Sequence, residues 1–238
     1  LNGAGVIRAG GIPAAQALAE KLSAPGCCNY QHNDAFPGSH PLACGPLGYN
    51  GSKAGMELIA KADVVLALGT RLNPFSTLPS YGIDYWPKDA KVIQVDINAD
   101  RIGLTKPVSV GIEGCAKQVA EQILEQLAPT AGDEGRSERE KLIRDTKASW
   151  QESLAVMDHE DDDPGTTWNE RARDRDADRM SPRHAWRAIM EALPGDAIIS
   201  SDIGNNCAIG NAYPSFEEGR KYLAPGLFGP CGYGCLLY

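Results

Sequence analysis

The segment 61–98 most narrowly limits what this chain can fold into: it opens KADVVLALGTRLN, passes through a proline-rich loop and closes DAKVIQVDIN. Residues 64–68 and 92–95 are short apolar runs rich in β-branched side chains, stopped by Gly69 and Asp96. Runs of that kind read as strands covered on both faces, the pattern of a parallel sheet flanked by helices. Two such strands side by side bring their polar stops to one edge, and in an open α/β sheet that carboxyl edge is where ligands lodge. An α/β, Rossmann-like parallel sheet is therefore the expectation for this part of the chain.

Around this centre the chain reads in order. Residues 1–5 look like the end of a strand and its turn, and residues 12–22 have helical apolar spacing with Pro13 in the first turn. Gly3, Gly5, Gly10 and Gly11 invite a dinucleotide turn. Arg8, however, stands where the fingerprint needs its third glycine, and the next strand candidate, residues 26–30, ends in Asn29 and Tyr30 rather than an acid. A plain strand-to-helix turn is preferred. Residues 31–51 read as a long loop, with His32 and His40 as loop hydrogen-bonders because no Cys or carboxylate stands at ligand spacing. Ser52 caps an expected helix to Lys61, with Met56, Ile59 and Ala60 inward. Arg71 either meets an anion or ties loop carbonyls, the latter preferred; Asp96 either takes a ribose hydroxyl or caps its own turn. A strand at 108–112 and a helix at 116–127 carrying Val119, Ile123, Leu124 and Leu127 close this unit.

Charge narrows the partners. The 238 residues carry a net charge of −8 with a pI near 5.0 and no Lys/Arg stripe, which argues against a nucleic-acid surface. Without a span-length apolar run or a signal-like opening, a soluble, cytoplasmic protein is expected. Seven cysteines, odd in number and without metal-ligand pairs, fit reduced thiols. Residues 131–180 hold fifteen Asp/Glu against nine Lys/Arg and read as a surface connector. Ser137 and Glu140 suggest a capping box there, opening a helix with Leu142, Ile143, Trp150, Leu154 and Met157 on its apolar side. The acidic run 160–163 lacks the glycine and closing glutamate of a calcium loop and reads as solvated.

A second βα pattern starts at Ser181 and Pro182, with Ala185, Trp186, Ile189, Met190 and Leu193 forming a helical apolar face before a strand at 197–201. The strand delivers SDIGNN, residues 201–206, where Gly204 lets the backbone turn and Asn205 and Asn206 offer amides. By itself that loop suits phosphate oxygens and a helix N-cap equally. Further on stands PGLFGPCGYG, residues 225–234. The order strand–DIGNN, a spacer with Tyr213 and Phe216, then GPCGYG resembles the opening of the diphosphate-binding domain in thiamin-diphosphate enzymes of the acetolactate synthase and pyruvate oxidase group. ADVVLALGTRLN with KVIQVDIN resembles the central domain of that group. The stretch 47–98 is similar in detail to a branch that transfers an acetyl group to phosphate while a sulfonated aldehyde loses sulfite.

That resemblance implies a central domain at 1–130, an acidic linker with one helix at 131–180 and the start of the diphosphate-binding domain at 181–238. It implies that Asn205 and Asn206, beside Gly204, contact the cofactor diphosphate, and that the Gly229 carbonyl accepts from the aminopyrimidine. Pro230 and Cys231 stand where the group has Thr-Met; the cysteine is apolar, as the propping position requires, but smaller. Thiamin diphosphate and Mg²⁺ are the implied cofactors. The glutamate that starts the chemistry falls upstream of Leu1 and the Mg²⁺ ligands fall beyond Tyr238, so no catalytic residue or metal ligand is assigned here. The chain reads as an internal piece of a longer protein, with a small-molecule substrate and a dimeric or tetrameric whole. The alternatives are another carboligase or decarboxylase of the group, or a module binding FAD or ADP.

Overall fold

The structure, a computed structural model, describes residues 1–159, 182–225 and 231–235. Helices α1 (Ala4–Arg8) and α2 (Ile12–Leu22) precede β1 (Gly26–Cys28) and β2 (Ala43–Pro46); α3 (Lys53–Ile59) leads into β3 (Val64–Leu68), β4 (Lys91–Asp96) and β5 (Val110–Glu113). Helices α4 (Ala116–Gln126) and α5 (Arg136–His159) follow. A second unit holds α6 (Pro182–Ala192), β6 (Ile199–Ser200), α7 (Asn205–Gly210) and β7 (Tyr222–Leu223).

All named strand pairs are parallel. Asn2 bridges to both Cys28 and Leu68, so the order across the larger sheet is β2, β1, Asn2, β3, β4, β5, while β6 and β7 pair separately. On one face α2 and α4 bring Leu18, Val119 and Ala120 against Leu68 and Val95. The other face is covered by Phe36, Leu47, Met56 and Tyr85 over Val65, Ala67 and Val92. Burying each large side chain of these layers is worth about 1.5–3 kcal/mol. Ser52 caps α3 through its hydroxyl, which accepts from the Gly55 amide at 3.2 Å. Among the described residues no helix is long and apolar enough to cross a membrane.

The α/β expectation holds, with local corrections. The loop expected at 31–51 contains β2, a four-residue strand with no periodicity of its own that exists by pairing with β1. Ala60 is exposed and Leu58 is buried instead. The strand expected at 108–112 lies at Val110–Glu113, in register with Ile93 to Asp96. Helix α5 starts before Ser137, so the capping box does not form: Arg136 donates to the carbonyls of Glu20 and Lys21, and Glu140 accepts from the Ser23 hydroxyl at 2.7 Å. That helix packs Trp150 and Leu154 against Ala54 and Tyr81, whereas Leu142 is exposed. On α6, Ile189 is likewise exposed, while Trp186 and Met190 pack on Ile199, Phe216 and Tyr222. The acidic run 160–163 lies outside the described residues.

Candidate functional site

At the carboxyl edge of the larger sheet the early glycines serve a crossing of backbones. Gly3 N–H donates to the Leu68 carbonyl at 3.0 Å and Gly5 N–H to the Gly69 carbonyl at 2.9 Å. A Cβ on Gly5 would sit 2.6 Å from the Gly69 Cα, so the chain can pass here only without side chains. Beyond the crossing opens a cleft of about 840 Å³ whose walls include Arg8, His32, Arg71, Asp96 and Arg101. Asp96 caps its own turn, accepting from the Asn98 amide at 3.0 Å. Burial pushes the His32 imidazole below its ordinary pKa, which favours the neutral ring. His40 is a hydrogen-bonder, 3.0 Å from Glu20.

In the second unit β6 ends where the sequence places its polar loop. Gly204 has φ +89°, with nothing within 4 Å of its missing Cβ, and α7 begins at the next residue. The first amides of any helix lack intrahelical partners, so those of Asn205 and Asn206 are free of the ladder. Asp202 organises this end. One carboxylate oxygen accepts from the Ile203 amide at 2.8 Å, and the other accepts from the Gly232 amide at 2.8 Å. The SDIGNN loop and the described end of GPCGYG therefore meet, although they are thirty residues apart. Cys231 is exposed on that turn. Gly229 and Pro230 lie outside the described residues. Sequence reading passed over Asp202, because an acid closing a strand is an ordinary turn residue and its partner is supplied only by the fold.

The amides of Ile203 and Gly232 hold the Asp202 carboxyl below the usual carboxylate range. Its unfolded value is about 3.9. The contact is thus complete above that pH and is lost as pH falls through the lower folded value. The expected NMR result is a downfield Gly232 amide whose shift titrates below about pH 3.9 and is absent in Asp202→Ala. Titration at or above the ordinary value, or persistence in the variant, would contradict the contact.

Residues 29–40 of the first unit carry the second. Asn33 Nδ2 donates to the Asn211 carbonyl at 3.0 Å, and the Ser39 amide and hydroxyl both donate to the Glu217 carboxylate. Asp34, 2% exposed, accepts from the amides of Lys221, just before β7, and of Tyr222, its first residue. Among the described residues no three His, Cys, Asp or Glu side chains group to hold a metal.

Comparison with known proteins adds an independent line. A family profile described as thiamine pyrophosphate enzyme, central domain, matches residues 1–123. The chain is 77% identical, over 98% of its length, to a sulfoacetaldehyde acetyltransferase of Roseovarius nubinhibens, and 70% identical over 98% to one of Rhodobacter capsulatus. It covers 39% and 40% of those two proteins. Against the acetolactate synthase isozyme 3 large subunit of Escherichia coli the identity is 28% over 98% of this chain and 37% of that protein. The chain thus spans about two fifths of the length of the relatives it matches.

Proposed function

The chain belongs to the thiamine pyrophosphate enzyme family, and we propose that it is part of a sulfoacetaldehyde acetyltransferase, which converts sulfoacetaldehyde and phosphate into acetyl phosphate and sulfite. One observation supports this reading over a carboligase or decarboxylase: identity to proteins of that name runs from 77% down to 44% along nearly the whole chain, but falls to 28% against an acetolactate synthase. When bound, thiamin diphosphate supplies a nucleophilic thiazolium carbon able to add to an aldehyde.

This chain's own residues would serve the diphosphate end of the cofactor. Gly204 turns the backbone so that the Asn205 and Asn206 amides are available to phosphate oxygens. Asp202 draws the Cys231–Gly232 turn to the same strand end. Gly229 would present its carbonyl to the aminopyrimidine, and Pro230 and Cys231 would line the cofactor's bend. The residues present suit a diphosphate, since among the described residues nothing stands within 4 Å of a Cβ at Gly204. Mg²⁺ belongs to the reading through ligands outside these residues. The whole protein is read as a cytoplasmic dimer or tetramer acting on a small molecule.

The test uses the full-length protein with thiamin diphosphate, Mg²⁺, sulfoacetaldehyde and phosphate. Sulfite and acetyl phosphate are expected in equal amounts, with activity lost on chelation and restored by Mg²⁺. The 238-residue chain alone is expected to release no sulfite. Product formation from pyruvate without sulfite release would overturn the assignment in favour of a carboligase or decarboxylase.

The cleft at the carboxyl edge supports a second reading, a nucleotide on the central unit. Its volume of about 840 Å³ and its three arginines, Arg8, Arg71 and Arg101, suit the phosphates of ADP or FAD. In this reading ADP or FAD raises the melting temperature without thiamin diphosphate. Absence of that shift removes it.

A further inference from the structure

Gln31 is buried, yet takes a left-handed backbone with φ +67°. A non-glycine residue persists there only where its surroundings over-determine it. The reason is visible in its side chain, which leaves the first unit and enters the second. Gln31 Nε2 donates to the Pro225 carbonyl at 2.6 Å and lies 3.9 Å from Cys207 Sγ. The Tyr30 hydroxyl meets the same sulfur at 3.3 Å. Burial pushes the Tyr30 phenol well above its ordinary pKa, so it stays protonated.

The two partners are informative. Cys207, 1% exposed, follows Asn206 directly in the first turn of α7. Pro225 immediately precedes residues 226–230, which include Gly229 and Pro230. One amide group therefore joins the first turn of α7 to the chain at Pro225. At the other end of α7 the neighbouring Asn33 holds the Asn211 carbonyl at 3.0 Å. A methionine would fill much the same space, but would offer the Pro225 carbonyl no donor.

We infer that Gln31 is a positioning residue for the cofactor cradle, fixing α7, whose first amides serve the diphosphate in the thiamin-diphosphate reading, against the chain at Pro225. The inference rests on the thiamin-diphosphate reading and adds to it a role for the central unit. Gln31 acts through α7 and the chain at Pro225 rather than on the cofactor itself. Tyr30 supports it from the same loop.

The test is made in the full-length enzyme, comparing Gln31→Met, Tyr30→Phe and, as a control, Glu217→Ala, which cuts the Ser39 tie between the same two units away from α7. Gln31→Met is expected to weaken thiamin diphosphate binding roughly tenfold, as loss of one buried hydrogen bond implies. Apo melting should fall by only a few °C, as loss of one buried hydrogen bond at conserved volume implies, and kcat at saturating cofactor should be largely retained. Tyr30→Phe is expected to weaken binding roughly threefold, and it decides the matter if Gln31→Met fails to fold. Glu217→Ala should lower stability without changing cofactor affinity. Unchanged affinity in Gln31→Met, or in Tyr30→Phe where only that variant folds, would overturn the role and leave the function reading standing. An affinity loss equalled by Glu217→Ala would do the same. A wild-type protein that fails to bind thiamin diphosphate would remove both.

Discussion

Gly69→Ala is expected to lower the melting temperature by about 10 °C or more. Two costs combine. Gly69 sits at φ +57°, where an alanine Cβ meets its own backbone at a cost of about 1–2 kcal/mol. The new Cβ would also lie 2.6 Å from the Gly5 Cα and 2.8 Å from the Val6 nitrogen. Those neighbours are backbone atoms, tied by the hydrogen bonds from Gly3 and Gly5 to Leu68 and Gly69, and cannot rotate aside. Forcing them apart adds about 1–3 kcal/mol, giving about 2–5 kcal/mol in all. Gly10→Ala provides the comparison, since Gly10 has φ +64° with nothing within 4 Å of a Cβ. It bears the backbone cost alone. If circular dichroism melts show Gly69→Ala no worse than Gly10→Ala, the crossing is not close-packed in solution.

This result bears on what the sequence could disclose. Gly3 and Gly5 are conspicuous in the sequence, but whether they approach a phosphate or another strand depends on Gly69, sixty-four residues beyond Gly5, and distant approaches leave no local pattern. Strands β3 and β4 were legible because Val65, Ala67, Leu68, Val92 and Val95 are buried, and burial on both faces writes itself as a short, mostly apolar run, interrupted in β4 only by the buried Gln94. Helix α2 was legible to the residue through its spacing and Pro13. β2 was not, because Ala43–Pro46 owes its conformation to a partner strand. The start of α5 was misplaced for a related reason: Arg136 and Glu140 are occupied by the end of α2, a contact more than a hundred residues distant in sequence.

The candidate site divides the same way. Gly204 was legible, since a glycine between an apolar strand and two asparagines announces a turn, and φ +89° is what that turn uses. Asp202, Gln31 and Asp34 were not. Each is an ordinary polar loop residue until the fold brings it a partner: Gly232, Pro225 and the amides of Lys221 and Tyr222. The loop expected at 31–51 has no periodicity to read, and its first residues are the joint between the units. Loops that hold two units together carry their information in single side chains rather than in periodicity.

Asp34 offers the second large effect. Its Oδ2 accepts from the Lys221 amide at 3.0 Å and the Tyr222 amide at 3.3 Å, and it is the only side chain among the described residues shown bonding to either. Asp34→Ala leaves both donors without that acceptor inside the joint. Hydrogen bonds to a charged group are worth about 1.5–3 kcal/mol each, and the buried Tyr222 amide would go unsatisfied. A loss of about 3–5 kcal/mol follows, directed at the β6–β7 pair, because Ile199 N–H in turn donates to the Lys221 carbonyl at 2.8 Å. Asp34→Asn retains one acceptor oxygen but not the charge, so about 1–2 kcal/mol is expected. The signature is local. In Asp34→Ala, hydrogen exchange should accelerate at Ile199, Lys221 and Tyr222 while Val65, Val92 and Val95 stay protected, since their sheet does not pass through the joint. Because the Asp202 loop is borne on β6, cofactor binding should weaken in the same variant. Acceleration spread evenly over both sheets would instead show that the two units unfold as one, and equal protection at Tyr222 would show that Asp34 does not hold β7.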